Sequence, residues 1–103
     1  MSLSEVLKAL SDPTRRRIIR LLRERPRPAG EIASFFDISK PSVSFHLNQL
    51  KDAGLIFGER NGTTITYHLN LSVIEDLMLF VTDLWQGEHD GNRPEASSSD
   101  AQE

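Results

Sequence analysis

The stretch IASFFDISKPSVSFHLNQLKDAGLI, residues 32–56, decides how this chain is read. Ile32, Phe35 and Phe36 fall at i, i+3 and i+4, the spacing of one helical face, and Val43, Leu47 and Leu50 repeat it further on. The spacing predicts two short helices, each with one buried side, meeting at a tight Asp37-Ile38-Ser39 turn. Ser39 suits an N-cap, and Pro41 is tolerated in the first turn because the amides there have no intrahelical acceptor. Ala53-Gly54 supplies the stop, since glycine accepts the left-handed conformation that closes helices. Two helices joined in this way form a helix-turn-helix, whose second helix is suited to the DNA major groove.

The outer face of that second helix agrees. At about 100° per residue, Pro41, Ser44, Phe45 and Asn48 lie opposite Val43 and Leu47, with Lys40 and Lys51 on one flank. Short side chains let the backbone approach base edges. Ser donates or accepts at either kind of base pair, Asn can pair with adenine, and Lys reaches phosphate or guanine. Alone, the face would read as ordinary solvated surface, so the flanking elements matter.

Residues 56–60, Asn61-Gly62 and residues 63–69 form a hairpin signal, Asn-Gly being favoured in two-residue type I′ turns. The expected register pairs Arg60 with Thr63, Gly58 with Ile65 and Ile56 with Tyr67. It puts the apolar residues and Leu69 on one face, and Glu59, Thr64, Thr66 and His68 on the other. A helix-turn-helix followed by such a hairpin is a winged helix. Arg60, Asn61 and Thr63 at the wing tip are then positioned for phosphate or an adjacent minor groove.

Length and composition fit one small domain. The chain has 103 residues and 38% hydrophobic content, so a monomer buries little core and a partner would help. The formal charge of −3 is unevenly spread: residues 1–87 carry eleven Lys/Arg against ten Asp/Glu, whereas residues 88–103 carry one Arg against five acids. Residues 1–87 are read as a DNA-binding and dimerisation domain, and EHDGNRPEASSSDAQE, residues 88–103, as an acidic disordered tail. The absence of cysteine excludes disulfides and thiolate metal sites. No apolar run spans a membrane and no signal-peptide pattern opens the chain, so the expectation is a cytoplasmic protein without membrane insertion. No phosphate loop and no nucleophile with a base at recognisable spacing points to an enzyme, and no cofactor is expected.

Seven of the twelve basic residues are Arg15, Arg16, Arg17, Arg20, Arg23, Arg25 and Arg27, on or after a helix opened by Asp12 and Pro13. Ile18, Ile19, Leu21 and Leu22 form its buried side. Arg16, Arg20, Arg23 and Arg27 are expected on the opposite, solvated face, open to a role near the DNA backbone or to pairing with acids within a dimer.

The last helix is expected over residues 73–86, with Ser72 and Glu75 as a capping box and Gly87 as terminator. Val73, Ile74, Leu77, Met78, Leu79, Phe80, Val81, Leu84 and Trp85 cover more than one stripe, so it needs partners on two sides. Leu3, Val6, Leu7 and Leu10 form a matching stripe near the N-terminus. Leu3, Val6, Leu7, Leu10, Val73, Ile74, Leu77, Met78, Phe80, Val81, Leu84 and Trp85 are therefore the expected homodimer interface, which would present two recognition helices to a pseudo-palindromic operator.

Three separated motifs carry a family resemblance: LSDPTRRRIIRLL at 10–22, SKPSVSFHLNQLKDAGLI at 39–56 and RNGTTITYHL at 60–69. Together they resemble the ArsR family of winged-helix repressors over about residues 2–85, and the DPTRR and SKPS forms look most like its SdpR-like autorepressor branch. The resemblance implies an α-α-α-α-β-β-α fold, mainly helical with a small hairpin, dimerising through its first and last helices. It implies repression by occupancy of double-stranded promoter DNA. Carried over by motif, Lys40, Pro41, Ser44 and Phe45 face the groove, with Ser39, Ser42, Asn48 and Lys51 on the same helix and Arg60, Asn61 and Thr63 on the wing.

Two features depart from the family pattern. Phe45 stands where many relatives have histidine, and a phenyl ring cannot hydrogen-bond a base but can contact a thymine methyl. His46, at the edge of the apolar face, is read as structural. Metal-sensing relatives use cysteines or Asp and His pairs, whereas this chain has no cysteine and Glu75, Asp76 and Asp83 lack spaced histidines. His68 and His89 do not supply the deficit. The expectation is a repressor without metal response, released by a protein anti-repressor, its own abundance or an unidentified ligand. The alternative is a winged helix used as a protein-interaction module, because one scaffold hosts different sites.

Overall fold

A computed structural model describes residues 2–86. The proposed terminator Gly87, His89 and the tail 88–103, with the domain boundary before it, lie outside the described residues. In chain order the elements are α1 (Leu3–Leu10), α2 (Pro13–Glu24), β1 (Arg27–Pro28), α3 (Ala29–Ser34), α4 (Lys40–Asp52), β2 (Ile56–Asn61), β3 (Thr64–Leu69) and α5 (Leu71–Gln86).

Short polar caps start the helices. The Ser2 side chain accepts from the Glu5 amide at the start of α1, and Asp12 accepts from the Arg15 amide, at 3.0 Å, at the start of α2. Pro13 then occupies the first turn, where a missing N–H costs nothing. Helices α1, α2 and α4 pack on one another around Val6, Ala9, Ile18, Leu21, Leu22, Val43, Leu47 and Leu50. This corrects one expectation: Val6 is 0% exposed inside this core and cannot serve a dimer surface, because the inner side of α1 is already covered by its own chain.

The turn after α4 fixes where the wing begins. Gly54 has φ +81°, the Gly54 amide donates to Lys51 O at 2.9 Å, and the Leu55 amide donates to Leu50 O at 3.0 Å. These are the two bonds of a Schellman cap, closed by contact of its flanking apolar residues. Leu50 and Leu55 are both fully buried.

The hairpin forms, but one residue further along than its turn signal suggests. Asn61 pairs with Thr64, Gly58 with Tyr67 and Ile56 with Leu69, leaving Gly62-Thr63 as the loop, with Gly62 at φ +63°. Because each partner shifts by two, both faces keep their expected residues. The observed register puts the Tyr67 ring across from a residue without a side chain. A Cβ at Gly58 would come within 2.9 Å of Ile65 and 3.5 Å of Tyr67, so their side chains fill the space that glycine leaves.

A third strand was not expected. Arg27 and Pro28 pair with Tyr67 and Thr66 to give an antiparallel sheet in the order β1-β3-β2. Two residues, one of them proline at a sheet edge, leave no alternation to read. The first helix of the helix-turn-helix is also shorter than its apolar spacing implied. It ends at Ser34, and Phe35 and Phe36 follow in a tighter turn, their amides bonded to Ile32 O and Ala33 O.

The last helix begins at Leu71, so Ser72 lies inside its first turn instead of capping it. Asn70 secures the junction: its amide donates to Leu55 O at 2.9 Å and its side chain to Gly54 O at 3.0 Å. The described residues divide into two units, one ending at Val73 and the other beginning at Ile74. No residue of α5 is buried, and Met78, Leu79, Val81, Leu84 and Trp85 are exposed, Trp85 by 87%. Among the described residues, no helix is long and apolar enough to cross a membrane.

Candidate nucleic-acid interface

Helix α4 presents two chemically distinct sides. Val43, Leu47 and Leu50 are buried, while Lys40, Pro41, Ser44, Phe45, Asn48 and Lys51 are exposed. Ser39 and Ser42 have another task. The Ser42 amide donates to Ser39 Oγ at 3.2 Å, and the two hydroxyls hydrogen-bond at 2.8 Å, so both side chains are engaged in the cap. That leaves Lys40, Ser44, Asn48 and Lys51 as the exposed candidate polar residues of α4 that take no part in the cap.

Phe45 stands out on this surface. It is 55% exposed, and its ring meets His46 edge to face, with centroids 5.7 Å apart and planes at 68°. His46 is half-buried and braced from α2: an Arg15 guanidinium N–H donates to its Nδ1 at 3.1 Å, and Asp12 lies 3.8 Å away. Arg15 is itself anchored by donating to Ala9 O at 2.7 Å. His46 is thus a structural residue, and Arg15 is committed to supporting it. The bond from the Arg15 amide, aided by the nearby Arg15 charge, holds the Asp12 carboxyl below its ordinary value of 3.8.

The wing tip is open. Arg60, Asn61 and Thr63 are all exposed. Among the described residues, no carboxylate forms an ion pair with Lys40, Lys51 or Arg60. On the outer side of the hairpin the Phe57 and His68 rings stack at 5.0 Å, and His68 bonds Glu59 at 3.0 Å.

Of the arginines expected on a solvated face, Arg16, Arg20 and Arg23 are exposed and Arg27 is not. Arg27 is only 5% exposed; it pairs with Glu24 at 2.6 Å and with Glu31, donates to Leu21 O at 3.0 Å, and lies over the Phe35 ring. Arg25 also pairs with Glu31. Bonds from Arg27 first, then Arg25, hold the Glu31 carboxyl below its ordinary 4.5. Arg16 donates to Leu10 O, and Arg17 lies over Phe36. The acids that claim Arg25 and Arg27 belong to the same chain, not to a partner. No periodicity announced this network, although Glu24, Arg27 and Glu31 stand three and four residues apart, a spacing open to contact when the chain is helical or tightly turned.

Between α3 and α4 a shallow cleft of about 260 Å³ is lined by Ala29, Gly30, Ala33, Lys40, Val43, Ser44 and Leu47. Its lining contains no acid and no histidine. Among the described residues, no three His, Cys, Asp or Glu side chains gather as a metal-ligating group.

Comparison with known proteins agrees with this geometry. Residues 10–56 match a family model described as a helix-turn-helix domain. An ArsR-like transcriptional regulator from Rhodococcus has a similar structure, with a TM-score of 0.77 and 27% identity over 85% of this chain and 80% of that one. The transcriptional repressor SdpR of Bacillus subtilis is 51% identical over 74 residues, covering 72% of this chain and 82% of SdpR. The chain belongs to the ArsR family. A homodimeric winged helix-turn-helix DNA-binding domain from Mycobacterium bovis, described as a possible ArsR-family regulator and solved in solution, matches with a TM-score of 0.67 and 25% identity over 89% of this chain and 86% of that one.

Proposed function

We propose that this ArsR-family chain is a sequence-specific, DNA-binding transcriptional repressor that acts as a homodimer. The observation that carries the reading is the exposed side of α4, where Lys40, Ser44, Phe45 and Asn48 project from a helix fixed by Val43, Leu47 and Leu50. Lys40 reaches phosphate or guanine and the wing residue Arg60 a phosphate, while Ser44 and Asn48 read base edges. The 51% identity to a transcriptional repressor supports the same reading. Likeness to the autorepressor branch extends it to control of the chain's own promoter.

Dimerisation follows from the surfaces left open. Leu7, Met78, Val81, Leu84 and Trp85 are exposed apolar side chains on the first and last helices. Burying each is worth about 1.5–3 kcal/mol, enough for several together to favour pairing. The homodimeric Mycobacterium bovis neighbour supports this assembly. Release from DNA is assigned to a protein anti-repressor, abundance or a small ligand instead of a metal, since the chain has no cysteine and Glu75, Asp76 and Asp83 lack spaced histidines.

Selection of bound sites from random duplex DNA tests the reading. Enrichment of a two-fold-symmetric site, with half-sites about one helical turn or a multiple apart, is expected. Lack of any enriched sequence would leave a protein-interaction module as the better account.

A further inference from the structure

We infer that Phe45 is a specificity-determining residue that selects thymine through its 5-methyl group; this rests on the proposed operator-binding role of α4. On the exposed side of that helix, Lys40, Ser44, Asn48 and Lys51 offer hydrogen bonds or charge, and Phe45 offers neither. More than half of its surface is open to solvent. In the major groove the thymine methyl is the one apolar group that a base edge presents, so it is the feature an exposed phenyl ring can recognise. Cytosine at the same place carries only C5–H where thymine carries the methyl, so the ring loses that apolar contact.

The ring is also held for such a contact. Its edge-to-face packing on His46 limits its swing, and His46 is fixed by Arg15, which is tied to Ala9 O in turn. Ser42, on the preceding turn, is drawn toward the cap by Ser39, which keeps its hydroxyl with the cap. The result is an apolar point flanked by the polar readers Ser44 and Asn48, a pattern that distinguishes a methyl-bearing pyrimidine from a bare one.

Single replacement of each dT by dU in the selected duplex removes one methyl and changes nothing in the protein. At one symmetric position per half-site, affinity is expected to fall roughly fourfold, the worth of one buried carbon. In Phe45→Ser that penalty disappears, and in Phe45→Leu it persists in part. For the wild type, 5-methyl-dC at the same position recovers affinity relative to dC. Tolerance of dU at every position, a selected site without an invariant thymine, or a dU penalty unchanged in Phe45→Ser would overturn the assignment while leaving DNA binding intact. Failure to enrich any sequence would overturn the operator reading itself, and this inference with it.

Discussion

The arginine-rich segment from Arg15 to Arg27 and the sparsely charged helix α4 make an instructive pair. By composition the first looks more like the DNA-binding region, since it holds seven of the chain's twelve basic residues. In the folded chain Arg15, Arg16 and Arg27 are bonded to backbone carbonyls, Arg25 and Arg27 to Glu24 or Glu31, and Arg17 sits over an aromatic ring. Helix α4 holds only Lys40 and Lys51, yet neither is paired among the described residues. A charge already satisfied inside the fold has little left for a phosphate. Arg20 and Arg23 are exposed and form no ion pair among the described residues, so the contrast with α4 holds for Arg15, Arg25 and Arg27 and not for the whole segment.

Arg27→Ala attacks the internal side of this comparison. It removes charge-assisted bonds to Glu24 and Glu31, the bond to Leu21 O and the packing on Phe35, so a loss of about 2–4 kcal/mol in denaturant unfolding is expected. The fraction that remains folded should bind DNA as before. Reduced specific affinity in fully folded Arg27→Ala protein would show that this segment reaches the ligand after all.

Lys40→Ala attacks the external side. Operator affinity should fall about tenfold, with unfolding free energy unchanged within about 0.5 kcal/mol. If Lys40 meets phosphate, the salt dependence also loses close to one ion; if it meets guanine, discrimination against random DNA falls instead. An unfolding loss as large as that of Arg27→Ala would erase the contrast.

The smallest expected effect is on acid stability. Asp12 and Glu31 have folded carboxyls held below 3.8 and 4.5, their ordinary values. A depressed folded pKa contributes stability that is complete above the unfolded value and drains as pH falls through the folded one. The thermal midpoint should therefore be flat with respect to these two groups above about pH 5.5 and decline below pH 4.5. Asp12→Asn should flatten part of that decline, and an unchanged acid limb would remove Asp12 from the account.

Much of the fold was legible because its signals are local. Asp12-Pro13, Ser39 and Ala53-Gly54 each act within a few residues, and all cap or stop the helices they were expected to. What escaped depends on contacts distant in sequence. Arg27 joins β1 to β3 through a pairing with Tyr67, forty residues away; its ion pairs to Glu24 and Glu31 are near in sequence but run from α2 across β1 to α3, where no single helical period links them. The hairpin register likewise departs from the one the Asn61-Gly62 pair suggests, with Tyr67 opposite Gly58 and packed, with Ile65, into the space that glycine leaves. For the candidate interface, periodicity located the exposed side of α4, but the Arg15 brace on His46 and the closed Ser39-Ser42 pair needed three-dimensional contacts. Val6 shows the same limit, since a stripe on α1 cannot tell a core facing its own chain from one facing a partner.

The most direct measurement is an equilibrium titration of the full-length protein against the selected operator and a scrambled duplex of equal length, repeated across a series of salt concentrations. Log affinity for both should fall linearly with log salt, with the operator bound at least about a thousandfold more tightly than the scrambled duplex at physiological salt. Equal affinity for the two duplexes, or binding indifferent to salt, would contradict the assignment of α4 as a base-reading helix.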